Sequence, residues 1–363
     1  MTIIHIEQVQ RQWYNICNES TKRGEIYMTH LRVGIIGCGL IGDVHARAIT
    51  ACNGTVLSAV CDSTVERASA FAEKYGSPAV YTDYNAMLQS DEIDAVAICT
   101  PSGMHKEQAV AAIKASRHVI CEKPMALCKA DCEEIREALR GTSLLFTVMF
   151  QTRAVEDIRY LHDVIQSGAL GTLTLCDLYM KYWRDESYFK VSPWRGTFAM
   201  DGGGALMNQG IHGVDVMHYL CGAPRLMGAK VKTLVHNIET EDTAVALCEY
   251  PSGALGVIEA ATTANPGFDR RIEICGSRGY ATVIDSSLEK LVIDGKTVVD
   301  KQATVAAGTA SNPSAMGHAY HLALYDNLIR AYRGEEELYS TADDGYNSVA
   351  FVEDVYTLSG KTV

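Results

Sequence analysis

The sequence contains three stretches whose residue types and spacing suit chemistry, and the first is a glycine turn. Gly37, Gly39 and Gly42 follow a short apolar run and precede a helix-like pattern, in the order G-x-G-x-x-G. Glycines so spaced permit a tight turn and a close backbone approach, and a helix N-terminus attracts phosphate. The pattern predicts a pyrophosphate site for a dinucleotide, contacted by Gly37, Gly39, Leu40, Ile41 and Gly42.

An acidic residue stands where a dinucleotide site needs one. Val56 to Cys61 reads as a second strand, and Asp62 follows it, about 20 residues beyond the last glycine. An aspartate there accepts hydrogen bonds from a ribose diol and repels a 2′-phosphate. Ser63 and Thr64 add no positive charge, although Arg67 lies one turn further on. We therefore predict NAD as the cofactor, with NADP less favoured.

The second stretch is Glu122-Lys123-Pro124, which ends another short apolar run, Val119 to Cys121. Proline fixes its own φ and disfavours the α region for the residue before it. Lys123 is therefore predicted on a stiffened turn at the carboxyl end of a strand, where ligands bind in open α/β sheets. Taken alone, a lysine before proline is more often a solvated turn residue, so its neighbours decide between the two interpretations.

The third stretch starts with Gly202-Gly-Gly204 and continues in a helical pattern to Cys221. On such a helix Asn208, His212 and Asp215 share one face. A histidine on a half-buried helix is more often structural than catalytic. The polar neighbours, and glycines that would let a ligand approach, favour a functional site instead.

The elements that must position these residues alternate between strand and helix up to residue 150. Helices are predicted over Val65–Tyr75, Met104–Ala115 and Lys129–Leu139, and strands over Ala95–Cys99, Val119–Cys121 and Leu144–Phe150. This alternation predicts an α/β fold with a doubly wound, parallel Rossmann sheet. The carboxyl ends of its strands would gather Gly37, Asp62, Thr100, Glu122, Lys123, Gln151 and Arg153.

After residue 150 the runs become alternating or aromatic and are separated by turn signals. They predict an α+β domain with a largely antiparallel, open-faced sheet, whose free face suits an oligomer interface. We expect a NAD-binding Rossmann domain at 28–150 and a substrate-binding and oligomerisation domain at 151–363, whose final helix can pack back on the first domain. Residues 1–27 match neither pattern, and we treat them as an N-terminal extension that need not be native, with Met28 as an alternative start.

Composition excludes several classes of partner. The 363 residues are 47% hydrophobic and 21% charged, and the net charge of −12 comes without a basic run, so nucleic acid and anionic membrane surfaces are poor partners. No apolar run approaches the roughly 20 residues that span a bilayer. The 12 cysteines are scattered without a C-x-x-C pair, so we expect no metal site. Free thiols in apolar strands indicate a reducing compartment, and the cytoplasm is expected.

In combination these motifs resemble the Gfo/Idh/MocA (glucose–fructose oxidoreductase / inositol dehydrogenase) family over residues 31–360. The resemblance is carried by Gly37-x-Gly39-x-x-Gly42, Thr100-Pro101 with His105, Glu122-Lys123-Pro124, and Gly202-Gly-Gly204 followed by His212 and Asp215. It implies homodimers or homotetramers and NAD(P)-linked oxidation or reduction of a secondary hydroxyl on a sugar or cyclitol. It also implies that Lys123 and His212 are the catalytic residues.

Further contacts are expected around this pair. Cofactor contacts are predicted from Thr100, His105, Glu122, Lys123 and Gln151, and substrate contacts from Lys123, Arg153, Tyr182, Trp194, Asn208 and His212, with Arg195 a weaker candidate. His318 and His321 are interpreted as surface or packing residues. Histidine titrates near neutrality, so our hypothesis makes His212 the general base and Lys123 the group that polarises the same oxygen, with the converse assignment open.

The sequence departs from the family pattern at Asn208, where inositol dehydrogenase-like members carry aspartate, and at Ser102, which replaces a frequent asparagine. An asparagine at this position resembles members that oxidise the 3-hydroxyl of nucleotide sugars or glycosides. We expect a NAD-dependent dehydrogenase of a sugar or glycoside. Inositol dehydrogenase is the alternative within this class of enzyme. Two hypotheses from other classes are a non-catalytic NAD- or sugar-sensing protein and a reductase of imines or tetrapyrrole-like compounds.

Overall fold

A computed structural model describes residues 30–301 and 317–361 of the chain. From Leu31 onward the chain forms one compact unit, which contains two sheets and the helices packed on them. The expectations for residues 1–27 and for a start at Met28 lie outside the described residues. Within the described ranges, no helix combines the length and the apolar character that crossing a membrane requires.

The first sheet has six parallel strands in the order β3-β2-β1-β4-β5-β6. This strand order is that of a doubly wound Rossmann sheet, which confirms the predicted fold class. The central strands β1, β4 and β5 are short, apolar and almost wholly buried because helices cover both faces. The six strands are β1 Leu31–Ile36, β2 Thr55–Cys61, β3 Ala79–Tyr81, β4 Ala95–Ile98, β5 His118–Cys121 and β6 Phe146–Val148.

The helices of this half follow the strands in alternation, as the sequence pattern predicts. The predicted helices agree with the observed ones to within one residue at each end. The strand predicted over Leu144–Phe150 is shorter, because the chain turns into a 3₁₀ helix at Gln151–Ala154. The helices are α1 Leu40–Ala51, α2 Val65–Lys74, α3 Tyr84–Leu88, α4 His105–Lys114 and α5 Lys129–Leu139, with a 3₁₀ turn at Ser102–Met104.

The second sheet has eight strands in the order β14-β13-β12-β11-β7-β10-β9-β8. Its pairs are antiparallel except for β7 with β10, which run in parallel. A largely antiparallel sheet was predicted, and the observed one confirms it. The strands are β7 Leu173–Lys181, β8 Arg225–Lys232, β9 Thr243–Glu249, β10 Leu255–Ala261, β11 Arg271–Gly276, β12 Gly279–Ile284, β13 Ser287–Ile293 and β14 Lys296–Asp300.

One face of the second sheet is buried and the other is open. Along β7, Cys176, Leu178 and Met180 are fully buried against helices. On the opposite face, large apolar side chains are 45–47% exposed: Leu175, Val245, Leu247 and Leu255. The alternation follows from the period of two along a strand, which sends successive side chains to opposite faces.

The remaining helices join the two sheets. α9 packs on the buried face of the second sheet, α10 packs on α1, and α11 packs on α5 and β8. The helix predicted to open at Gly202 instead begins with a π-helical turn, Ala205–Gly210, that leads into α9. These helices are α6 Glu156–Gln166, α7 Glu186–Lys190, α8 Phe198–Asp201, α9 Ile211–Cys221, α10 Ala319–Tyr332 and α11 Ala342–Leu358.

Candidate active site

The glycine turn between β1 and α1 has the shape that a dinucleotide needs. Gly37 has a φ of 102°, and a Cβ there would lie 2.7 Å from the carbonyl oxygen of Cys99. A Cβ on Gly39 would meet nothing within 4 Å, so this position faces open space. Gly39 immediately precedes α1 and has no side chain to cap it. The backbone N–H groups in the first turn of α1 are therefore free to bind phosphate. Leu40 is exposed and Ile41 half-buried beside this space.

Asp62 lies at the end of β2 beside this turn. One carboxylate oxygen accepts the backbone N–H of Cys38 at 3.0 Å, which ties it to the glycine turn. The other oxygen accepts Arg67 Nε at 2.9 Å. The side chain is thus fixed where a ribose diol can meet it, and the predicted cofactor residues fit a dinucleotide. The neighbouring Arg67 guanidinium is paired with this carboxylate.

The carboxylate of Glu122 is held behind the turn that carries Lys123. Its Oε1 lies 3.0 Å from His45 Nε2 and 3.4 Å from His321 Nε2, and its Oε2 accepts the backbone N–H of Lys123 at 3.1 Å. His45 also meets the hydroxyl of Tyr325 at 2.8 Å. Glu122 is only 7% exposed, and His45, His321 and Tyr325 are buried, so α1 and α10 together clamp the turn.

This clamp keeps Glu122 ionised. Burial by itself raises the pKa of Glu122, but the hydrogen bonds and charges of His321 and His45 outweigh burial and hold it well below the ordinary value. The histidine partners were missed in the sequence because they lie 77 and 199 residues from Glu122. His321, expected at the surface or in packing, is buried and bonded to the turn.

His105 braces the same turn from α4. Its Nδ1 lies 2.8 Å from the carbonyl oxygen of Pro124, and its Nε2 lies 2.9 Å from that of Thr100. The ring is 1% exposed, so the structure places this predicted cofactor residue as a brace between the ends of β4 and β5. Thr100 itself stands half-buried at the rim, as does Gln151, whose side-chain oxygen has no hydrogen-bond partner in the described part of the chain.

The amino group of Lys123 reaches across to the π-helical turn. Lys123 Nζ donates to the backbone carbonyl of Asn208 at 2.8 Å. The side chain of Asn208 is itself held, because its amide nitrogen donates to Asp201. Burial lowers the pKa of Lys123, against the opposing charges of Glu122 and Asp201. Asn208 therefore positions the lysine through its backbone, a contact that residue type does not predict.

His212 lies in the first turn of α9, next to this pair. Burial lowers the pKa of His212 well below its ordinary value, and the charge of Lys123 acts in the same direction. The imidazole is thus neutral at pH 7. Its Nδ1 is buried and lacks a hydrogen-bond partner among the residues described. A neutral histidine beside an amino group of lowered pKa is suited to accept a proton from a hydroxyl.

Two expectations about this region need correction. Arg153, predicted to bind substrate, is buried in an ion pair with Asp215, with N–O distances of 2.9 and 2.7 Å, and it also meets Asp344. We therefore leave Arg153 out of the substrate site. The second correction concerns the single helix face predicted for Asn208, His212 and Asp215. Asn208 lies in the π-helical turn, so only His212 and Asp215 keep the regular spacing of α9.

The glycines before α9 serve packing instead of ligand approach. A Cβ on Gly203 would lie 2.1 Å from the hydroxyl of Tyr356, and one on Gly204 would lie 1.8 Å from the carbonyl oxygen of Glu241. The Glu241 carboxylate also accepts the backbone N–H groups of Gly204 and Leu206. A close approach to these glycines is thus observed, but the groups that approach them belong to the protein and not to a ligand.

The two predicted aromatic contacts differ in their surroundings. Tyr182 is 8% exposed and belongs to the hydrophobic core. Trp194 is half-buried in the loop between α7 and α8, with the Arg195 guanidinium 5.5 Å from its ring centroid. Trp194 thus stays a candidate for the cleft wall, whereas the ring of Tyr182 packs in the interior.

A dinucleotide turn facing a lysine–histidine pair at the junction of two sheets defines a dinucleotide-dependent oxidoreductase. Family comparison agrees in both halves of the chain. Residues 31–150 match the oxidoreductase family with a NAD-binding Rossmann fold, GFO_IDH_MocA, and residues 158–282 match a Gfo/Idh/MocA C-terminal domain. The chain belongs to the Gfo/Idh/MocA family of NAD-binding oxidoreductases, which confirms the predicted family and cofactor.

Named relatives and a solved structure share this architecture. Myo-inositol 2-dehydrogenase from Thermotoga maritima is 29% identical, covering 69% of this chain and 74% of the relative. D-glucoside 3-dehydrogenase from Escherichia coli is 36% identical, covering 53% of this chain and 55% of the relative. The WlbA dehydrogenase from Bordetella pertussis, solved with NADH and UDP-GlcNAcA, has a TM-score of 0.80 at 27% identity, covering 92% of this chain and 98% of that one.

Proposed function

We propose that this protein oxidises a secondary hydroxyl of a sugar or glycoside, or reduces the corresponding ketone, in a cleft between the two sheets. The observation that carries the proposal is the placement of Lys123 Nζ, 2.8 Å from the Asn208 carbonyl and beside a neutral His212. When bound, NAD supplies the ring that accepts a hydride from the carbinol carbon. The chain's own residues must then hold the hydroxyl and remove its proton.

His212 is the general base in this proposal. Its lowered pKa keeps the imidazole unprotonated at pH 7, which is the form that accepts a proton. Lys123 binds the same oxygen through an N–H group and stabilises negative charge that develops on it. The Glu122 clamp and the His105 brace fix the backbone of the lysine turn, so the amino group is held before substrate arrives.

The choice among sugars is supported by the relatives and by Asn208. Relatives named as inositol 2-dehydrogenase and D-glucoside 3-dehydrogenase both fall in this family. Asn208 has a side-chain amide where an aspartate would have a carboxylate, and its amide nitrogen already donates a hydrogen bond to Asp201. We favour a glycoside with its 3-hydroxyl as the reacting group, and inositol oxidation is the alternative.

The test measures NADH formation with monosaccharides, inositols and glycosides, while also following the absorbance of any cofactor retained by the protein. Lys123→Met and His212→Gln are each expected to lower kcat about 100-fold or more with NAD still bound. Lys114→Met and His30→Gln, at exposed positions, serve as matched controls. If both site variants kept near-normal turnover, the roles assigned here would be wrong.

The pH dependence separates the two assignments of the base. Because the pKa of His212 lies below its ordinary value, kcat/KM for oxidation should stay level down to about pH 6.5 and fall only at lower pH. A base of lysine type would instead make kcat/KM rise through the alkaline range. That result would exchange the roles of Lys123 and His212. A protein that binds NAD and sugar without turnover in any condition would be a sensor.

We also infer that two copies associate through the open face of the second sheet. The inference is supported by apolar side chains that are nearly half exposed on neighbouring strands, such as Leu175, Leu247 and Leu255. Light scattering on the purified protein should give a homodimer or homotetramer. Leu247→Glu is expected to shift the mass toward a monomer, whereas Leu234→Glu, in the loop after β8, is not. A monomeric wild-type protein would contradict this inference.

A cytoplasmic location is proposed from the cysteines. Those in the described residues are all free, and most are buried. Burial raises the pKa of thiols such as Cys38 and Cys61 to about 12, which keeps them protonated and unreactive. Free cysteines in such number are typical of proteins in a reducing compartment. Fractionation of expressing cells would test the location, and enrichment in a secreted fraction would contradict it.

A further inference from the structure

Two arginines form part of the cleft wall beside the proposed active site. Arg184 follows β7 and is 8% exposed, and Arg195 is half-buried in the loop between α7 and α8. Both guanidinium groups lie over the ring of Tyr188, with carbon-to-centroid distances of 5.3 and 4.2 Å. Two positive charges are therefore brought together on one aromatic ring.

Neither arginine has an anionic partner in the described part of the chain. Arg184 donates to two neutral oxygens, the carbonyl of Trp183 at 2.8 Å and the side chain of Gln209 at 2.9 Å. Arg195 has one long contact, 3.5 Å, to the carbonyl of Tyr188. The Nε of each arginine is buried without a partner there. By contrast, the buried Arg153 is fully paired with a carboxylate.

Such an arrangement is costly unless a ligand completes it. Burying a charge without a counter-ion is unfavourable, and two like charges on one ring add repulsion. Burial lowers the pKa of Arg184, and the charge of Arg195 acts in the same direction. An anion placed between them would relieve both effects.

Hydrogen bonds connect Arg184 to the lysine turn, and the charge of Arg195 also acts on Lys123. The amide of Gln209, which accepts from Arg184, donates to the side chain of Asn208 at 3.2 Å. The backbone carbonyl of Asn208 in turn accepts Lys123 Nζ at 2.8 Å. The positive charges of Arg195 and Arg184 also contribute to the lowered pKa of Lys123. The arginines therefore border the space in which the substrate reacts.

The carboxylate of Asp201 at this wall is already engaged by other groups. Asp201 accepts the backbone N–H of Gly196 at 2.9 Å and the side-chain amide of Asn208. It forms no ion pair with Arg184 or Arg195 within 4.0 Å across the described residues. Burial raises the pKa of Asp201, while its hydrogen bonds and the charges of Lys123 and Arg195 act in the opposite direction.

We propose that Arg184 and Arg195 form an anion subsite, and that the substrate is an acidic sugar carrying a carboxylate or a phosphate. This inference rests on the proposed function and names its substrate class. The planar guanidinium fork fits carboxylate and phosphate oxygens in pairs of hydrogen bonds, which makes arginine the suited residue for such a group. Tyr188 orients the two forks by stacking.

The experiment compares a neutral sugar with acidic counterparts. NADH formation is measured with a methyl glucoside, the matching methyl glucuronoside and glucose 6-phosphate, for the wild type, Arg184→Gln and Arg195→Gln. The wild type is expected to prefer one acidic sugar by about tenfold or more in kcat/KM. Arg195→Gln should abolish that preference mainly through KM. Arg278→Gln, an exposed arginine paired with Asp294, is the matched control and should keep it.

The acidic sugar that is preferred distinguishes a carboxylate subsite from a phosphate subsite. Should the arginine variants fail to fold, inorganic phosphate is the probe: it should inhibit oxidation of the neutral sugar by the wild type competitively. A wild type that uses neutral and acidic sugars equally, without competitive inhibition, overturns the subsite and leaves the proposed function standing. A protein that binds NAD but oxidises no sugar, charged or neutral, refutes the proposed function and this inference together.

Discussion

Replacing Asp62 by serine should change the cofactor preference of this protein, because one carboxylate controls two neighbours. Asp62 accepts the backbone N–H of Cys38 and holds the Arg67 guanidinium, with the shortest N–O distance at 2.7 Å. The Arg67 side chain is 57% exposed and also donates to the Ser63 hydroxyl at 3.2 Å, so Asp62 supplies its ionic partner while leaving it accessible to a ligand. Asp62→Ser removes the acceptor of the ribose diol and releases the arginine at the same time.

The expected magnitude follows from the bonds involved. A hydrogen bond to a charged group contributes about 1.5–3 kcal/mol. Loss of about 1.5–3 kcal/mol of hydrogen bonding between the ribose and Asp62 should therefore raise the Kd for NAD about 10- to 100-fold. For NADP the repulsion from the carboxylate disappears, and a charge-assisted bond from Arg67 to the 2′-phosphate becomes available. NADP affinity should rise at least about tenfold.

Titration of each cofactor against intrinsic tryptophan fluorescence measures both constants directly. The double variant Asp62→Ser/Arg67→Ala is the control, since it lacks the released guanidinium and should lose the gain in NADP affinity. If Asp62→Ser bound NAD as tightly as the wild type, the carboxylate would have no ribose contact. If the double variant gained NADP affinity equally, Arg67 would have no part in it.

Four further variants test the packing around the site and the glycine turn. Burial lowers the pKa of His218 to about 3, so the neutral side chain is fully compatible with folding above about pH 6.5 and becomes destabilising as the pH falls below that value. Between pH 7 and pH 5 the unfolding free energy of the wild type should therefore fall by about 2 kcal/mol more than that of His218→Gln, as urea titrations would measure. Asp215→Asn removes the fully buried carboxylate that pairs with Arg153 and leaves only the more exposed Asp344 as its ionic partner, so it should cost about 3 kcal/mol. Replacing Asp215 and Arg153 together by apolar residues should restore much of this loss, and equal stability of the single variant would contradict the pairing. Gly204→Ala should yield little folded protein, whereas Gly39→Ala should fold but bind NAD more weakly, as expression and titration would show.

The first half of the fold could be predicted because its signals are local. Strands of four to seven residues alternate with helices, and two of them end at the turn residues Gly37 and Asp62. Parallel sheets bring the carboxyl ends of their strands to one edge, so the positions of Asp62, Thr100 and Lys123 follow from the strand pattern. Residue type and spacing were sufficient there.

Partners across long separations could not be predicted in this way. Nothing in the local pattern indicated that the carboxylate of Asp215 pairs with Arg153, 62 residues away. The π-helical turn shifts the register of the preceding residues, and periodicity alone carries no signal for it. Which charge meets which depends on how distant segments close on one another.

The sequence by itself determined that a dinucleotide turn, a lysine turn and a histidine helix exist in one chain. The long-range contacts came from folding: Glu122 is clamped by His45 and His321, and Arg184 and Arg195 have no carboxylate partner among the described residues. This is because the sequence around a charged residue looks the same whether its side chain is solvated, paired with an opposite charge or part of a ligand site. Its role is set by the charges and hydrogen-bonding groups that folding places within a few ångströms of it.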